Sequence, residues 1–299
     1  MKRSIKHLPK QTQEELNTLL ELIKHHVSWC DMVVLYGSYA RGGYVLWDER
    51  VEFGVHTSYQ SDYDIMIVVS RLSVKHVEER LRTKVLPKYH HAFEHRRHAS
   101  PQFIVEYIGT LNKELERSQY FFTDIVKEGI KMYDTKVFKL AKPRELSFRE
   151  IKEIAESEFS VCYKYGNEYL RSSYDNLGYG SYNTASFILH QACERYYYAI
   201  SLVFTNYRPK SHRLNELGAR MKDFARELAA VFPQQTDFEK HCFDLLCRAY
   251  IEARYNKDFV VSKEELTYML ERAELLKEIV WRICTEKLVS YDALIEARI

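Results

Sequence analysis

Two groups of residues in the first third of the chain have types and spacing that could do chemistry. Gly37-Ser38-Tyr39-Ala40-Arg41-Gly42 follows directly on the apolar run DMVVLY, and Ser61-Asp62-Tyr63-Asp64-Ile65 opens the next such run. A Gly-Ser turn at a strand end lets backbone N–H groups approach phosphate oxygens, and the serine hydroxyl adds a donor. Asp62 and Asp64 are two apart, so on a strand both carboxylates project from one face. Two hard oxygen ligands on one face suit Mg²⁺, with nucleotide phosphates completing its octahedron. Such a metal would neutralise charge on a transferring phosphoryl group and orient the attacking oxygen. Either part alone is commonplace. The order strand, GSxARG, strand with DxD is specific.

Elements must hold these groups in place. The runs at 31–36, 63–69 and 102–108 are rich in β-branched and aromatic residues at strand length. Leu16, Leu19, Leu20 and Ile23 have helical spacing, and Thr12 with Glu15 reads as a capping box, which predicts a helix over 12–26. Further helices are predicted over 74–86, stopping near Pro87, and over 118–128, stopping at Gly129. Strands alternating with helices imply a mixed-sheet domain.

The strand–GSxARG–strand–DxD order resembles the DNA polymerase β-type nucleotidyltransferase superfamily in its minimal form. The resemblance implies that Gly37 and Ser38 hold a nucleoside triphosphate and that Asp62 and Asp64 carry the metal, Mg²⁺ or alternatively Mn²⁺. Arg41 would sit near the phosphates, a surface arginine at a helix start being the other reading. The family also has a third acidic residue on a later strand. Glu106 in QFIVEYI is the acidic residue placed for it. Strand alternation sets Glu106 with Ile104 and Ile108, which leaves two readings open, a catalytic carboxylate or a solvated edge-strand glutamate. Residues 43–60 lengthen the usual interval before the DxD and are expected to form a hairpin or lid. Trp47 or Tyr59 within it could stack on a base, plain packing being the commoner role.

Two other sets of residues invite a metal. His90, His91, His95 and His98 are spaced for a helix face, but Arg96 and Arg97 would repel a cation. A solvated basic surface is the favoured reading. The six cysteines form no CxxC pair, so they read as reduced thiols without a ligand role.

Strand patterns end at Lys142-Pro143. Ser147 with Glu150 is a capping box opening a long helix to about residue 172, and a loop is expected over 175–181. Helices are predicted over 182–205, 212–231, 237–255 and 263–286, the last capped by Ser262 and Glu265. Five helices with short connections read as an up-and-down bundle. The segments SFILHQACERYYY, YRPKSHRLNEL and RAYIEARY resemble the HEPN family of helical bundles. Many of those are ribonucleases with an arginine, four to six residues, then a histidine near the last helices. No histidine lies within that reach of Arg254, and Arg208 and His212 are too close together and too early. Two readings stay open here: Ser211 and His212 cap the helix and pack the bundle, or His212 with Arg208, Lys210 and Arg213 forms a small anion site at a helix N-terminus. The resemblance further implies a homodimer through the helical half.

The expected organisation is therefore α+β. A nucleotidyltransferase domain of mixed sheet and flanking helices spans 1–142, and a HEPN-like up-and-down helical bundle spans 147–299. With 44 Lys and Arg against 42 Asp and Glu, no general basic footprint for nucleic acid exists. No apolar stretch approaches the roughly 20 residues that cross a bilayer, and no secretory h-region follows the basic start, so no membrane partner and a cytoplasmic place are expected. The leading function is Mg²⁺-dependent transfer of a nucleoside monophosphate from an NTP to a protein, small-molecule or RNA acceptor. The alternative is a non-catalytic nucleotide sensor or toxin–antitoxin-type partner.

Overall fold

A four-stranded mixed sheet is what the apolar runs of the first half build. In the computed structural model, which describes every residue except 3, 28, 72, 298 and 299, β1 (Cys30–Tyr36) pairs antiparallel with β4 (Tyr63–Val69) and with β6 (Ile130–Asp134). β4 pairs parallel with β5 (Pro101–Tyr107), giving the order β5-β4-β1-β6. One face carries Val33, Leu35, Ile65 and Ile67, all buried with Leu16, Leu19 and Ile23 of α1 (Lys10–His26). Burying each such side chain stabilises the fold by about 1.5–3 kcal/mol. On the other face, α5 (Ile108–Glu116) packs on β5 and α6 (Tyr120–Glu128) on β1.

Three local expectations for this region are corrected. Thr12 and Glu15 do not cap α1; the helix starts at Lys10 after Pro9, and both residues are buried. The helix after β4 does not stop near Pro87. α3 (Val74–Arg80) passes through a π-helical turn, Leu81–Val85, into α4 (Leu86–Ala92). The wide turn relieves the clash a proline ring makes with the preceding turn, and it keeps Val77, Leu81, Val85 and Tyr89 buried at four-residue spacing. Helix α5 and strand β6 have no counterpart among the expected elements. The inserted segment does form a hairpin, β2 (Asp48–Glu52) and β3 (Val55–Tyr59), around Phe53 and Gly54, both at positive φ as a tight primed turn requires.

The chain divides into two compact units, residues 1–48 with 59–146, and residues 49–58 with 147–299. Residues 49–58, expected within 1–142, thus group with the second unit. Its helices are α7 (Phe148–Gly178), α8 (Tyr182–Thr205), α9 (Leu214–Met221), α10 (Asp237–Tyr255) and α11 (Lys263–Glu296). Both expected capping boxes are present, at Ser147/Glu150 and Ser262/Glu265, and a third sits at Thr236/Glu239. Helix α7 runs through most of the expected loop, ending before Gly180 in the left-handed region. Helix α11 continues ten residues past 286 because Leu288 and Tyr291 still have a core to enter, the Tyr291 hydroxyl donating to the Val203 carbonyl at 3.1 Å. The expected helix over 212–231 is shorter, α9 ending at Met221, and Arg226–Ala230 is a separate 3-10 turn with Leu228 and Ala230 buried. Among the described residues no helix is long and apolar enough to cross a membrane.

Candidate functional site

Strand β1 ends at Tyr36, and Gly37 turns the chain at φ +70° into the short helix α2 (Gly37–Arg41). Tyr36 is paired with Asp64 across the sheet, which brings the two motifs of the sequence together. The contact is close: a Cβ built on Gly37 would overlap the Asp64 carboxylate. Glycine is needed there for its φ and for its missing side chain. Helix α2 closes on Gly42, whose N–H and that of Gly43 both donate to the Ser38 carbonyl at 2.9 and 3.0 Å. The Ser38 hydroxyl oxygen is buried and, among the described residues, has no hydrogen-bond partner. A buried polar atom left unpaired costs about 1–3 kcal/mol, so a ligand oxygen is the natural partner for it.

Strand β4 carries Asp64, and Asp62 lies immediately before its first residue. Tyr63 and Ile65 point into the core, so alternation sends Asp62 and Asp64 to the opposite face, where both are half-buried. In the parallel β4–β5 register the residue beside Asp64 is Gln102, and its side-chain amide donates to Asp62 Oδ2 at 3.1 Å. Glu106 stands beside Val68, four residues further on, about 13 Å along a strand that rises ~3.3 Å per residue. The sheet therefore does not bring Glu106 to the aspartates. Nor is it a solvated edge residue: it lies on an edge strand, yet only 3 % of it is exposed. Among the described residues no three His, Cys, Asp or Glu side chains are grouped to hold a metal. A pair of carboxylates fits a cation whose remaining ligands are water and phosphate.

Glu15, unassigned in the sequence beyond its capping motif, supports this site from behind. Its carboxylate is 2 % exposed and accepts from the Tyr63 hydroxyl at 2.6 Å and from Gln11 Nε2 at 2.8 Å. Burial, with Glu15 next to it, pushes the Tyr63 phenol far above its ordinary range. The Tyr63 ring meets that of Tyr39, which follows Ser38, at 4.6 Å, and Tyr39 stacks on Tyr44 at 4.4 Å. A charged residue at a buried position of an apolar helix face was the available signal, masked by its resemblance to a cap.

Arg41 lies 3.9 Å from the Glu128 carboxylate of α6. Burial, with Glu128 beside it, raises the Asp124 carboxyl above its usual range, Arg41 opposing the rise. Arg41 is thus matched by acidic groups of this unit. Among the histidines, His90 Nδ1 and His98 Nε2 are 2.8 Å apart, and burial lowers the His90 pKa. His91 pairs with Glu94 at 2.9 Å on the surface. One face of Trp47 is covered by the Arg97 guanidinium, 3.4 Å from the ring centroid. All six cysteines are free thiols, five of them buried.

In the helical unit Arg208 and His212 each have a carboxylate. Arg208 Nη2 donates to Glu158 Oε2 at 3.0 Å, and His212 Nδ1 lies 3.1 Å from Oε2 of buried Glu194. An anion would have to compete with both, so packing fits this pair better; the expected cap is not made, since α9 starts at Leu214 after Arg213 with no side-chain capping hydrogen bond. His212 stacks on Tyr250 at 5.4 Å. Beneath it His190 is buried, Nδ1 2.9 Å from the Leu246 carbonyl oxygen and Nε2 3.0 Å from that of His212.

Comparison with known proteins places residues 159–284, from within α7 to within α11, as a match to the HEPN domain family. That match covers less than half of the chain, and the first unit is read from its own geometry. No curated protein matches the chain.

Proposed function

We propose that the first unit is a Mg²⁺-dependent nucleoside triphosphate site of nucleotidyltransferase type, joined to a HEPN bundle. The observation that carries the reading is the Asp64 carboxylate packed on Gly37, next in sequence to Ser38, whose buried hydroxyl has no partner among the described residues. Gly37 lets the chain turn tightly enough for phosphate oxygens to reach the backbone, and Ser38 Oγ donates to one of them. Asp62 and Asp64 would hold the divalent cation, Mg²⁺ or Mn²⁺, with Gln102 fixing the orientation of Asp62. When bound, the cation supplies charge neutralisation at the α-phosphoryl group. The residues then hold the triphosphate for in-line attack by an acceptor hydroxyl of a protein, small molecule or RNA end, with pyrophosphate leaving. Incubation with each α-labelled NTP and Mg²⁺, alone and in lysate, tests this. Label transferred by the wild type and lost in Asp62→Ala supports it, and unchanged transfer in Asp62→Ala refutes it.

A second reading, a nucleotide sensor of toxin–antitoxin type that does not turn over, is favoured by one observation. Gln102 occupies the place beside Asp64 where a third carboxylate would act, and Glu106 is distant. NTP and metal binding without labelled product would select it. Ile154, Val161 and Tyr165, exposed at seven- and four-residue spacing on α7, support a homodimer through the helical unit.

A further inference from the structure

We propose that Glu15 is a positioning residue, which through Tyr63 sets the direction in which Asp62 and Asp64 reach a divalent cation. The proposal rests on the metal–nucleotide reading of the site and goes beyond it. Tyr63 is the one residue between the two aspartates, and on a strand its side chain must point opposite to theirs. Rotation of the strand start about its own axis would swing both carboxylates together. The 2.6 Å hydrogen bond from Tyr63 to Glu15 on α1 blocks that rotation from the core side. Glu15 is itself held: Gln11 donates to its other oxygen at 2.8 Å, and Arg96 lies 3.8 Å from the same atom. The chain enters the strand under equal restraint. The Val45 N–H donates to Ser61 Oγ at 2.9 Å, the Ser61 N–H to the Val45 carbonyl at 2.9 Å, and the Tyr63 N–H to the Ser100 carbonyl at 2.9 Å. The Tyr63 ring also rests on Tyr39, so the same side chain ties the strand start to the helix that carries Ser38.

A buried carboxylate is a costly way to pack a core. An apolar pair of the same shape would serve packing as well or better. That excess is the reason to assign Glu15 a role at the site.

The test separates position from packing. Mn²⁺ is titrated into the full-length protein with a non-hydrolysable ATP analogue, followed by electron paramagnetic resonance, beside urea unfolding of each variant. Tyr63→Phe leaves Glu15 Oε2 without the Tyr63 hydroxyl, and it is expected to lose stability and to bind Mn²⁺ about tenfold more weakly, the low end of what losing support around a ligand costs. Glu15→Gln keeps an oxygen for Tyr63 and is expected to bind Mn²⁺ close to wild type. The double variant Glu15→Leu/Tyr63→Phe is expected to regain stability but not Mn²⁺ affinity. Recovery of both together, or wild-type Mn²⁺ affinity in Tyr63→Phe, overturns the proposal. A wild-type protein that binds no Mn²⁺ removes the metal reading itself, a different failure.

Discussion

The Asp64 carboxylate lies against the Cα of Gly37, where any side chain would overlap it. Two motifs separated by residues 43–60 are thereby brought onto one surface. Antiparallel pairing of Tyr36 with Asp64 sets the register, and the positive φ of Gly37 removes the chain from the path of the carboxylate.

Gly37→Ala is therefore expected to damage the site twice. A non-glycine residue at that φ costs about 1–3 kcal/mol, and the added methyl must displace Asp64. Urea unfolding should show the stability loss, and calorimetric titration with ATP and Mg²⁺ should show binding weakened beyond detection. Binding at wild-type strength would mean that Gly37 does not border the nucleotide.

Asp62→Asn and Asp64→Asn should separate the metal from the fold. Both side chains are half-buried at the end of a strand, so each amide is expected to leave the melting temperature within a few degrees of wild type. Metal-dependent nucleotide binding should fall by more than the about 10–100-fold that losing a ligand's outer partner costs. Gln102→Ala, which removes that outer partner of Asp62, should fall inside that range. Equal effects from all three would argue against distinct ligand and support roles.

How much of this was legible beforehand follows from which forces act locally. Tyr63–Val69 and Tyr182–Thr205 coincide with the expected bounds, because a continuous apolar run ending in turn signals is a local property. That Gly37 and Asp64 lie in two motifs was legible for the same reason, since backbone freedom and hard-ligand chemistry belong to single residues; their juxtaposition comes from the pairing of Tyr36 with Asp64. The distance of Glu106 from the pair was not legible, because strand register is a long-range property, and it puts Gln102 beside Asp64 and Glu106 beside Val68. Glu15 was misread as a cap because a glutamate three residues after a threonine has the same spacing whether the helix starts there or two residues earlier. The helix through Pro87 was cut short because a π-helical turn has no composition of its own.

Acid should weaken the helical unit through His190. Burial lowers its pKa below the ordinary 6.5, against the pull of the Leu246 and His212 carbonyls and of Glu194, while neighbouring His212 adds to the lowering. Below pH 6.5 the unfolded chain takes up a proton that the folded one refuses, so stability is full above that pH and declines as pH falls through it. The decline is at most about 1.4 kcal/mol per pH unit for one group. Comparing urea unfolding at pH 7.5 and 5.5 in wild type and His190→Gln checks it, with the smaller difference expected in the variant. A wild-type stability that rises on acidification would contradict the assignment.

Gly166 in the middle of α7 tests whether close helix contact or helix propensity dominates the bundle. Replacing an interior helical glycine by alanine should stabilise by about 1 kcal/mol on propensity alone. At Gly166, however, a Cβ would stand 2.6 Å from the ring of Tyr196 in α8. That ring is fully buried, and its hydroxyl donates to Asn167 at 2.8 Å, so it cannot swing aside without breaking a bond. Overpacking of this kind costs about 1–3 kcal/mol, which outweighs the propensity gain. Gly166→Ala is therefore expected to destabilise the protein, whereas Gly178→Ala, with nothing within 4 Å of its Cβ at the end of the same helix, should be neutral or slightly stabilising. Urea unfolding of the two variants side by side decides between the effects. A stabilised Gly166→Ala would show that α7 and α8 can separate enough to admit a methyl group.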